Sequence, residues 1–426
     1  MLELSFIRNY PEIVKASLKK RREEEKVKWI DEIVKLDKDW RVLKQENDNF
    51  RQRRNTISED INKAKKAGKN IDKLVKEAAE IPARIKLVDE EMKKAGERIV
   101  YLLQRIPNVI HESVPVGKDS SENVEIRKWG KPKKPAFELK NHGEWAENLG
   151  LADFRRAAKI SGAGFYFLKG KLAQLDLALQ LFAIKTLTKK GYTLVQPPMM
   201  LRRQAYEGVV SLADFENVMY KIDNEDLYAI ATSEHPLISQ YMNEVLDEKE
   251  LPIKLVGVSN CFRKEIGSHG VDTRGLFRVH QFNKVEQVIV CKPEDGWDLH
   301  EELQKNAEEL FKELELPYRV VNICTGDLGM IAAKKYDIEV WSPRQGKYVE
   351  VTSASNCTNY QAAGLNLKYQ HQHKGELKRD YVHTLNATAI ATGRAIVAIL
   401  ENFQNKDGSV TVPKALQKYT GFKKIP

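Results

Sequence analysis

The sequence predicts an α+β chain: an antiparallel β-sheet flanked by helices, preceded by an N-terminal antiparallel coiled-coil arm. Three observations predict it. Apolar residues step by three and four through two consecutive runs between about residues 27 and 102. A stretch broken by Pro and Gly follows, over residues 108–145. Beyond residue 170, short apolar strands succeed one another across short turns, without the strict strand–helix alternation of a doubly wound fold.

The first apolar run is Ile33, Leu36, Trp40, Leu43, Asn47, Phe50, Arg54, Ile57 and Ile61; the second is Ile71, Leu74, Ala78, Ile81, Ile85, Val88, Met92, Ala95, Ile99 and Leu102. Between them, Lys66-Ala67-Gly68-Lys69-Asn70 supplies a helix-ending glycine and a helix-starting asparagine. Stripes joined by so short a turn fold back on each other, because each finds its nearest apolar partner in the other. A helix of roughly 40 residues reaches roughly 60 Å, beyond the edge of a compact domain. Asn47 and Arg54 are expected as polar seam positions that fix register at a cost in stability, and Pro82 is expected to kink the second helix or remove a backbone bond. Near the turn stand Arg51, Arg53, Arg54, Lys63, Lys65, Lys66, Lys69, Lys73 and Lys76, with few acids among them. Two readings are open: a solvated coiled-coil face, or a surface that meets several phosphates at once.

A net charge of +10 favours polyanions, leaving nucleic acid, an anionic membrane surface and simple solubility as readings. With 31% charged and 42% hydrophobic residues the composition suits a soluble globular protein, not a disordered one. The start, MLELSFIRNYPEIVKAS, has acids and no continuous apolar core, so it does not read as a signal peptide. No apolar run approaches the roughly 20 residues that span a bilayer, so the expected compartment is the cytoplasm and no membrane partner is expected. Cys261, Cys291, Cys324 and Cys357 stand far apart, with neither a CxxC pair nor a His at ligand spacing, and read as reduced, buried thiols.

After the connector, whose Lys131-Pro132-Lys133-Lys134-Pro135 excludes helix, a helix is expected over 171–190, ending at Gly191, with YTLVQPPMML as a strand stopped by Pro197-Pro198. Further strands are expected at LYAIATS, IKLVGVSNCFR, FRVHQFNKVEQVIV, YRVVNIC, YDIEVWS and KYVEVTSAS, with a helix near 386–404. Neither GxGxxG nor GxxxxGK[ST] occurs, which removes the usual phosphate loops.

The densest constellation is Cys261-Phe262-Arg263-Lys264-Glu265, the loop IGSHGVDTRG, then Leu276 to Glu286. Read as a hairpin, it puts Arg278, His280 and Phe282 on one side of its second strand. A cation beside an aromatic plate suits a nucleotide, although a chance arginine on an exposed strand gives the same pattern. In Tyr348-Val349-Glu350-Val351-Thr352-Ser353, alternation places Glu350 and Thr352 opposite Val349 and Val351, and such oxygens suit Mg²⁺ bridged to phosphates. Asn386-Ala387-Thr388 leads into Ala391-Thr392-Gly393-Arg394, which brings an arginine to a helix beside the sheet.

These stretches resemble the seryl-tRNA synthetase family along nearly the whole chain: FIRNYPEIVKASLKKR at the start, the helical hairpin, TSE at 232–234, FRKE at 262–265, DTRGLFRVHQFNKVE at 272–286, YVEVTSASNCTNYQA at 348–362 and HTLNATAIATGRAIVAILENFQ at 383–404. The resemblance implies a class II synthetase fold. It divides the chain into a tRNA-binding domain with the hairpin at 1–110, a connector and start of the core at 111–170, and a catalytic core at 171–426. It further implies a homodimer, with GYTLVQPP and the preceding helix resembling the family's dimer-forming motif. The SNCTNYQ stretch is closest in wording to archaeal and eukaryotic members.

The implied activity is serine–tRNA ligation: L-serine is activated with ATP to seryl-adenylate, then passed to tRNA(Ser), and to tRNA(Sec) where present. A carrier-protein ligase of synthetase type or an inactive tRNA-binding paralogue would share parts of the pattern. The implied ATP contacts are Arg263, Lys264, Glu265, Arg278, Val279, Phe282, Glu350, Val351, Thr352, Ser353 and Arg394. Among them Arg263 meets the serine carboxylate and α-phosphate, Glu265 reads the adenine amine, Arg278 holds the outer phosphates, and Phe282 and Arg394 sandwich adenine. Glu350 and Ser353 resemble the Mg²⁺ ligands. Thr232, Ser233, Glu234, Arg263, Glu286 and Thr388 form the implied serine site, with Thr388 where the family often has Ser. Arg51, Arg53, Arg54, Lys63, Lys65, Lys66 and Lys69 are the implied tRNA contacts on the arm.

Overall fold

The computed structural model describes residues 1–211, 218–265 and 275–426, so most of the IGSHGVDTRG loop lies outside the described residues. The chain forms two compact units, residues 2–109 and residues 110–426.

In the first unit, helix α1 (Glu24–Lys66) and helix α2 (Asp72–Leu103) pack along their length. Ile33 and Ile57 on one, and Ile81, Ile85, Val88 and Ile99 on the other, are buried at the predicted spacing. The turn carries Gly68 at φ +67°, a conformation with no steric penalty for glycine, and the Asn70 side chain accepts a hydrogen bond from the Asp72 N–H at 2.7 Å. Asn47 is buried and donates to Asp89 at 2.7 Å, as a seam residue should. Arg54 corrects the reading: it is exposed, and Arg53 takes the inter-helix role by pairing with Glu77 on the second helix and Asp60 on its own, each at 2.6 Å. Helix α2 continues through Pro82, which has no N–H to give. At the base, Arg8 clamps the buried Asp37 with two hydrogen bonds of 2.7 and 2.8 Å, and that bonding holds the Asp37 carboxyl below the usual carboxylate range.

The second unit is built on an eight-stranded sheet. Its strands are β1 (Val124–Trp129), β2 (Thr193–Val195), β3 (Ile253–Phe262), β4 (Gln281–Cys291), β5 (Tyr318–Asn322), β6 (Lys334–Ser342), β7 (Lys347–Asn356) and β8 (His383–Ala391). They lie in the order β1-β5-β6-β7-β8-β4-β3-β2. Every pairing is antiparallel except that of the edge strand β2 with β3. Helices α3 (Gly170–Thr188), α4 (Gly296–Glu313) and α5 (Thr392–Asn402) supply Leu175, Leu179, Phe182, Leu303, Phe311, Ile396 and Ile399 to the main core. Two expectations are corrected. The connector contributes an edge strand, β1, whose residues pair with β5 although Pro and Gly interrupt the flanking chain. Residues 386–391 are strand, not helix, because β8 sits between β7 and β4 and both neighbours satisfy its backbone.

Alternation along β4 positions the site. Val285, Ile289 and Cys291 enter the main core, while Val288 and Val290 pack on the other face against Tyr206, Leu237 and Leu365. At the Phe282–Glu286 end that second face borders a cavity instead.

Candidate active site

The cavity holds about 500 Å³ and has three walls of different chemistry. Arg263, Arg278 and Arg394 reach it from the end of β3, from the segment before β4 and from the first turn of α5. The Arg263 guanidinium stands 5.4 Å from the Phe282 ring centre, and Arg394 stands 5.2 Å from that of Phe277. Arg278 approaches Glu265 at 3.4 Å. Cations beside aromatic plates make a surface suited to a flat, polyanionic ligand.

The hairpin expectation needs correction here. Strand β4 begins at Gln281, so Arg278 and His280 precede it and their common side is not set by alternation. His280 serves as a clamp instead. Its ring stacks on Phe165 at 5.3 Å, its Nδ1 lies 2.7 Å from the Tyr220 hydroxyl and 3.1 Å from the Arg263 carbonyl, and its carbonyl accepts the Arg263 N–H at 2.9 Å. The His280 N–H reaches the Gly164 carbonyl, and Gly164 has to be glycine: its φ is +84°, and a Cβ there would lie 2.3 Å from the imidazole. This network fixes the backbone from which Arg263 projects.

The second wall is β7. A bulge opposite Ile338 and Glu339 shifts its phase, so Glu339 pairs with Glu350 and Asp337 with Ser353. Glu350 therefore shares a face with Ser353, where unbroken alternation pairs it with Thr352; Thr352 instead faces with Ile338 and is buried. Glu350 takes Arg394 at 3.0 Å. Opposite Ser353, burial raises the Asp337 carboxyl above the usual carboxylate range against the pull of Lys335. Val351, Thr352, Glu265 and Val279 complete this part of the lining.

The third wall is a small acid-lined recess. Glu286 on β4 and Thr388 on β8 are cross-strand partners, and the Thr388 hydroxyl donates to Glu286 Oε2 at 3.0 Å. Lys284 Nζ meets the same oxygen at 2.5 Å. Across from them, Glu234 Oε1 accepts from the Gln361 amide at 2.8 Å, while the Thr232 hydroxyl accepts the Glu234 N–H at 3.1 Å. Burial, with the Glu286 charge adding to it, pushes the Glu234 carboxyl up to about 7. Such a recess offers carboxylate acceptors and two threonine hydroxyls to a small cation bearing a short polar arm.

Two expected site residues stand apart. Ser233 is fully buried behind the recess, packed where a Cβ on Gly257 would come within 2.8 Å of its Oγ. Lys264 does not line the cavity; its ammonium lies over the Tyr220 ring at 5.8 Å. Lys284, Lys335, Ser355 and Asn386 also line the cavity, where the sequence pattern assigns them no role. Lys284 was within reach, since it lies between Phe282 and Glu286 on the same alternating face. On the arm, Arg51 pairs with Asp89 at 3.3 Å and Arg53 is held as described, whereas Lys65, Lys66 and Lys69 are exposed and Lys63 comes no closer than 4.0 Å to Glu59. The four cysteines are buried, and none is in a disulfide.

Comparison with known proteins agrees with the residue pattern. Residues 1–110 match the seryl-tRNA synthetase N-terminal domain, and residues 217–403 match the class II core domain of the synthetases for G, H, P, S and T. A serine–tRNA ligase of Methanoculleus marisnigri is 60% identical over 98% of both chains. One from Pyrococcus horikoshii is 53% identical over 100% of this chain and 97% of its own. The crystal structure of seryl-tRNA synthetase from Pyrococcus horikoshii complexed with ATP superposes with a TM-score of 0.94 at 52% identity, covering 100% of this chain and 99% of that one. The cytoplasmic serine–tRNA ligase of Naegleria fowleri in complex with AMP gives 0.88 at 34% identity, covering 100% and 98%.

Proposed function

The chain belongs to the seryl-tRNA synthetase family and is an ATP-dependent serine–tRNA ligase, and from that premise we propose how its residues divide the work. ATP occupies the cationic part of the cavity, with adenine on Phe282 and read by Glu265, and with the triphosphate against Arg263 and Arg278. Serine occupies the recess, its carboxylate turned to Arg263. The observation that carries this reading is one cavity in which three guanidinium groups and an aromatic plate adjoin the Glu286–Thr388 pair.

No side-chain nucleophile is needed. The serine carboxylate attacks the α-phosphorus and pyrophosphate leaves; a hydroxyl of the terminal ribose of tRNA then attacks the acyl carbon of the adenylate, and AMP leaves. Catalysis then consists of alignment and neutralisation of charge by fixed cations. Glu350 and Ser353 fit Mg²⁺, since the bulge turns both oxygen donors to one face, and the ion would neutralise the outer phosphates. Alanine would leave Glu286 and Thr388 without the hydroxyl they are built to meet, a penalty that reaches roughly 10⁴-fold in sites of this kind.

The lysines around residues 63–69 are the proposed contacts to tRNA(Ser), with tRNA(Sec) a second substrate where it exists. A homodimer is supported by the apolar side chains that α3 and β2 expose, Leu177 at 59%, Leu181 at 46% and Leu194 at 45%. Among the described residues no helix is long and apolar enough to cross a membrane, and the cytoplasm is the proposed compartment. Glu286→Ala should abolish serine-dependent ATP–pyrophosphate exchange with the fold intact by circular dichroism. Undiminished exchange would remove the recess assignment.

A further inference from the structure

Lys284 is a lysine where packing alone would place an apolar residue. Alternation along β4 sets Phe282, Lys284 and Glu286 on one face, opposite Cys261, Ser259 and Gly257 of β3. Same-face neighbours on a strand lie about 7 Å apart, so Lys284 stands between the aromatic plate and the recess. Its side chain is 6% exposed, with Nζ at 2.5 Å from Glu286 Oε2 and 3.4 Å from Thr388 Oγ1. The small residues opposite make room: a Cβ on Gly257 would meet Leu237 at 2.6 Å. A buried ammonium is costly unless its partners are fixed, which makes it an expensive way to fill space and an effective way to set a local charge.

We propose that Lys284 is a specificity-determining positioning residue: its ammonium cancels the Glu286 charge, so that Glu286 and Thr388 read the serine hydroxyl while Glu234 takes the serine ammonium. The proposal rests on the reading of the recess as the serine site.

Serine brings one cation and one anion, and Arg263 meets the anion. Glu286 already holds a cation, and a second one gains little beside a matched pair. Glu234 is bonded to the neutral amide of Gln361, so its negative form has a use for the incoming ammonium. Thr388 gives its one hydroxyl proton to Glu286 and takes Lys284 Nζ at 3.4 Å, which leaves the single serine O–H to be shared between Glu286 and the remaining Thr388 lone pair. Without Lys284, two bare carboxylates would compete for the ammonium. Glu286 would then be drawn toward the ammonium and away from the serine hydroxyl.

The test is ATP–pyrophosphate exchange by the full chain carrying Lys284→Met, Lys284→Gln or Lys284→Arg, with serine and with alanine. The neutral variants should raise the serine KM about 10- to 100-fold, the range for losing a charged hydrogen-bonding partner. They should also lower the ratio of serine to alanine kcat/KM by at least about tenfold and leave the ATP KM within about threefold. Lys284→Arg, which keeps the charge, should recover part of the serine KM where Lys284→Gln does not. A wild-type serine KM and discrimination in either neutral variant overturns the proposal, as does a loss confined to kcat and the ATP KM, which would assign Lys284 to the phosphates. If Lys284→Met fails to fold, Lys284→Gln, which keeps a polar head, decides alone. If the wild-type chain shows no serine-dependent exchange, the reading of the recess has failed instead.

Discussion

Glu234 is the residue whose protonation the site leaves most finely balanced. Its carboxyl is pushed up to about 7 by burial first and by the Glu286 charge second, with the Gln361 hydrogen bond and the Lys284 and Arg263 cations opposing. Around it stand Glu286 and Lys284 from β4, Arg263 from the end of β3, His235 beside it in sequence and Cys357 after β7; burial keeps His235 neutral and the Cys357 thiol protonated. A raised carboxyl binds its proton more tightly folded than unfolded, so its contribution to stability is complete below the ordinary value of 4.5 and is lost as pH climbs through about 7. Glu234→Gln keeps the Gln361 contact but has no proton to lose. Its melting temperature relative to wild type should therefore rise between pH 5 and pH 8.5, by the equivalent of roughly 1–3 kcal/mol. Substrate binding runs the other way, since the serine ammonium needs the negative form, and the wild-type serine KM should climb as pH falls below about 7. A melting difference that is flat across that range, measured without substrate, would contradict the burial argument. At this scale much could be read in the sequence. Phe282 and Glu286 share an alternating face, but the fact that Ser233 is walled off behind Gly257 depends on a neighbouring strand that no local pattern encodes.

Elements differ in how far they announce themselves. The arm helices declare their seam because each buries a stripe against a neighbour close in sequence, and the one slip, Arg54 for Arg53, is a single step of phase. Strand β8 was hidden, because NATAIATGRAIVAIL has the residues of a helix, and the two strands that claim its backbone lie about 30 and 100 positions upstream. The bulge in β7 was hidden for a related reason, since one extra residue leaves no mark on composition while it turns Ser353 toward Glu350. Helix α3 carries its own prediction. It buries Leu172, Leu175, Leu179 and Phe182 on one side yet leaves Leu177 and Leu181 exposed on another, beside the nearly all-antiparallel sheet's one parallel edge strand. Burying such a patch is what an interface between two copies does. Leu177→Asp combined with Leu181→Asp should convert a dimer to a monomer in sedimentation equilibrium without unfolding it, because neither side chain belongs to the core. A wild-type chain that sediments as a monomer would dismiss the interface.

For the whole molecule, the question is whether the arm and the catalytic unit can be separated in function. The unit of residues 2–109 holds itself together through its own seam and the Arg8–Asp37 clamp, and every proposed activation residue lies in the other unit. Deleting residues 36–98 should thus leave ATP–pyrophosphate exchange largely in place and suppress charging of tRNA. The arm's basic residues divide by their partners. Arg53 is committed to Glu77 and Asp60 and Arg51 to Asp89, so they tie the arm together, whereas Lys63, Lys65, Lys66 and Lys69 lie toward the turn, exposed to solvent. Phosphate contacts by lysine add up through released counterions, with the logarithm of affinity losing about one unit of salt slope for each contact removed. Replacing those four lysines by alanine should raise the tRNA KM and flatten its salt dependence, with the serine and ATP KM values unmoved. Replacing Arg53 should lower the arm's melting temperature instead. If the four-lysine variant charges tRNA with the wild-type salt slope, the turn is a solvated end of a coiled coil and the contacts to tRNA lie elsewhere.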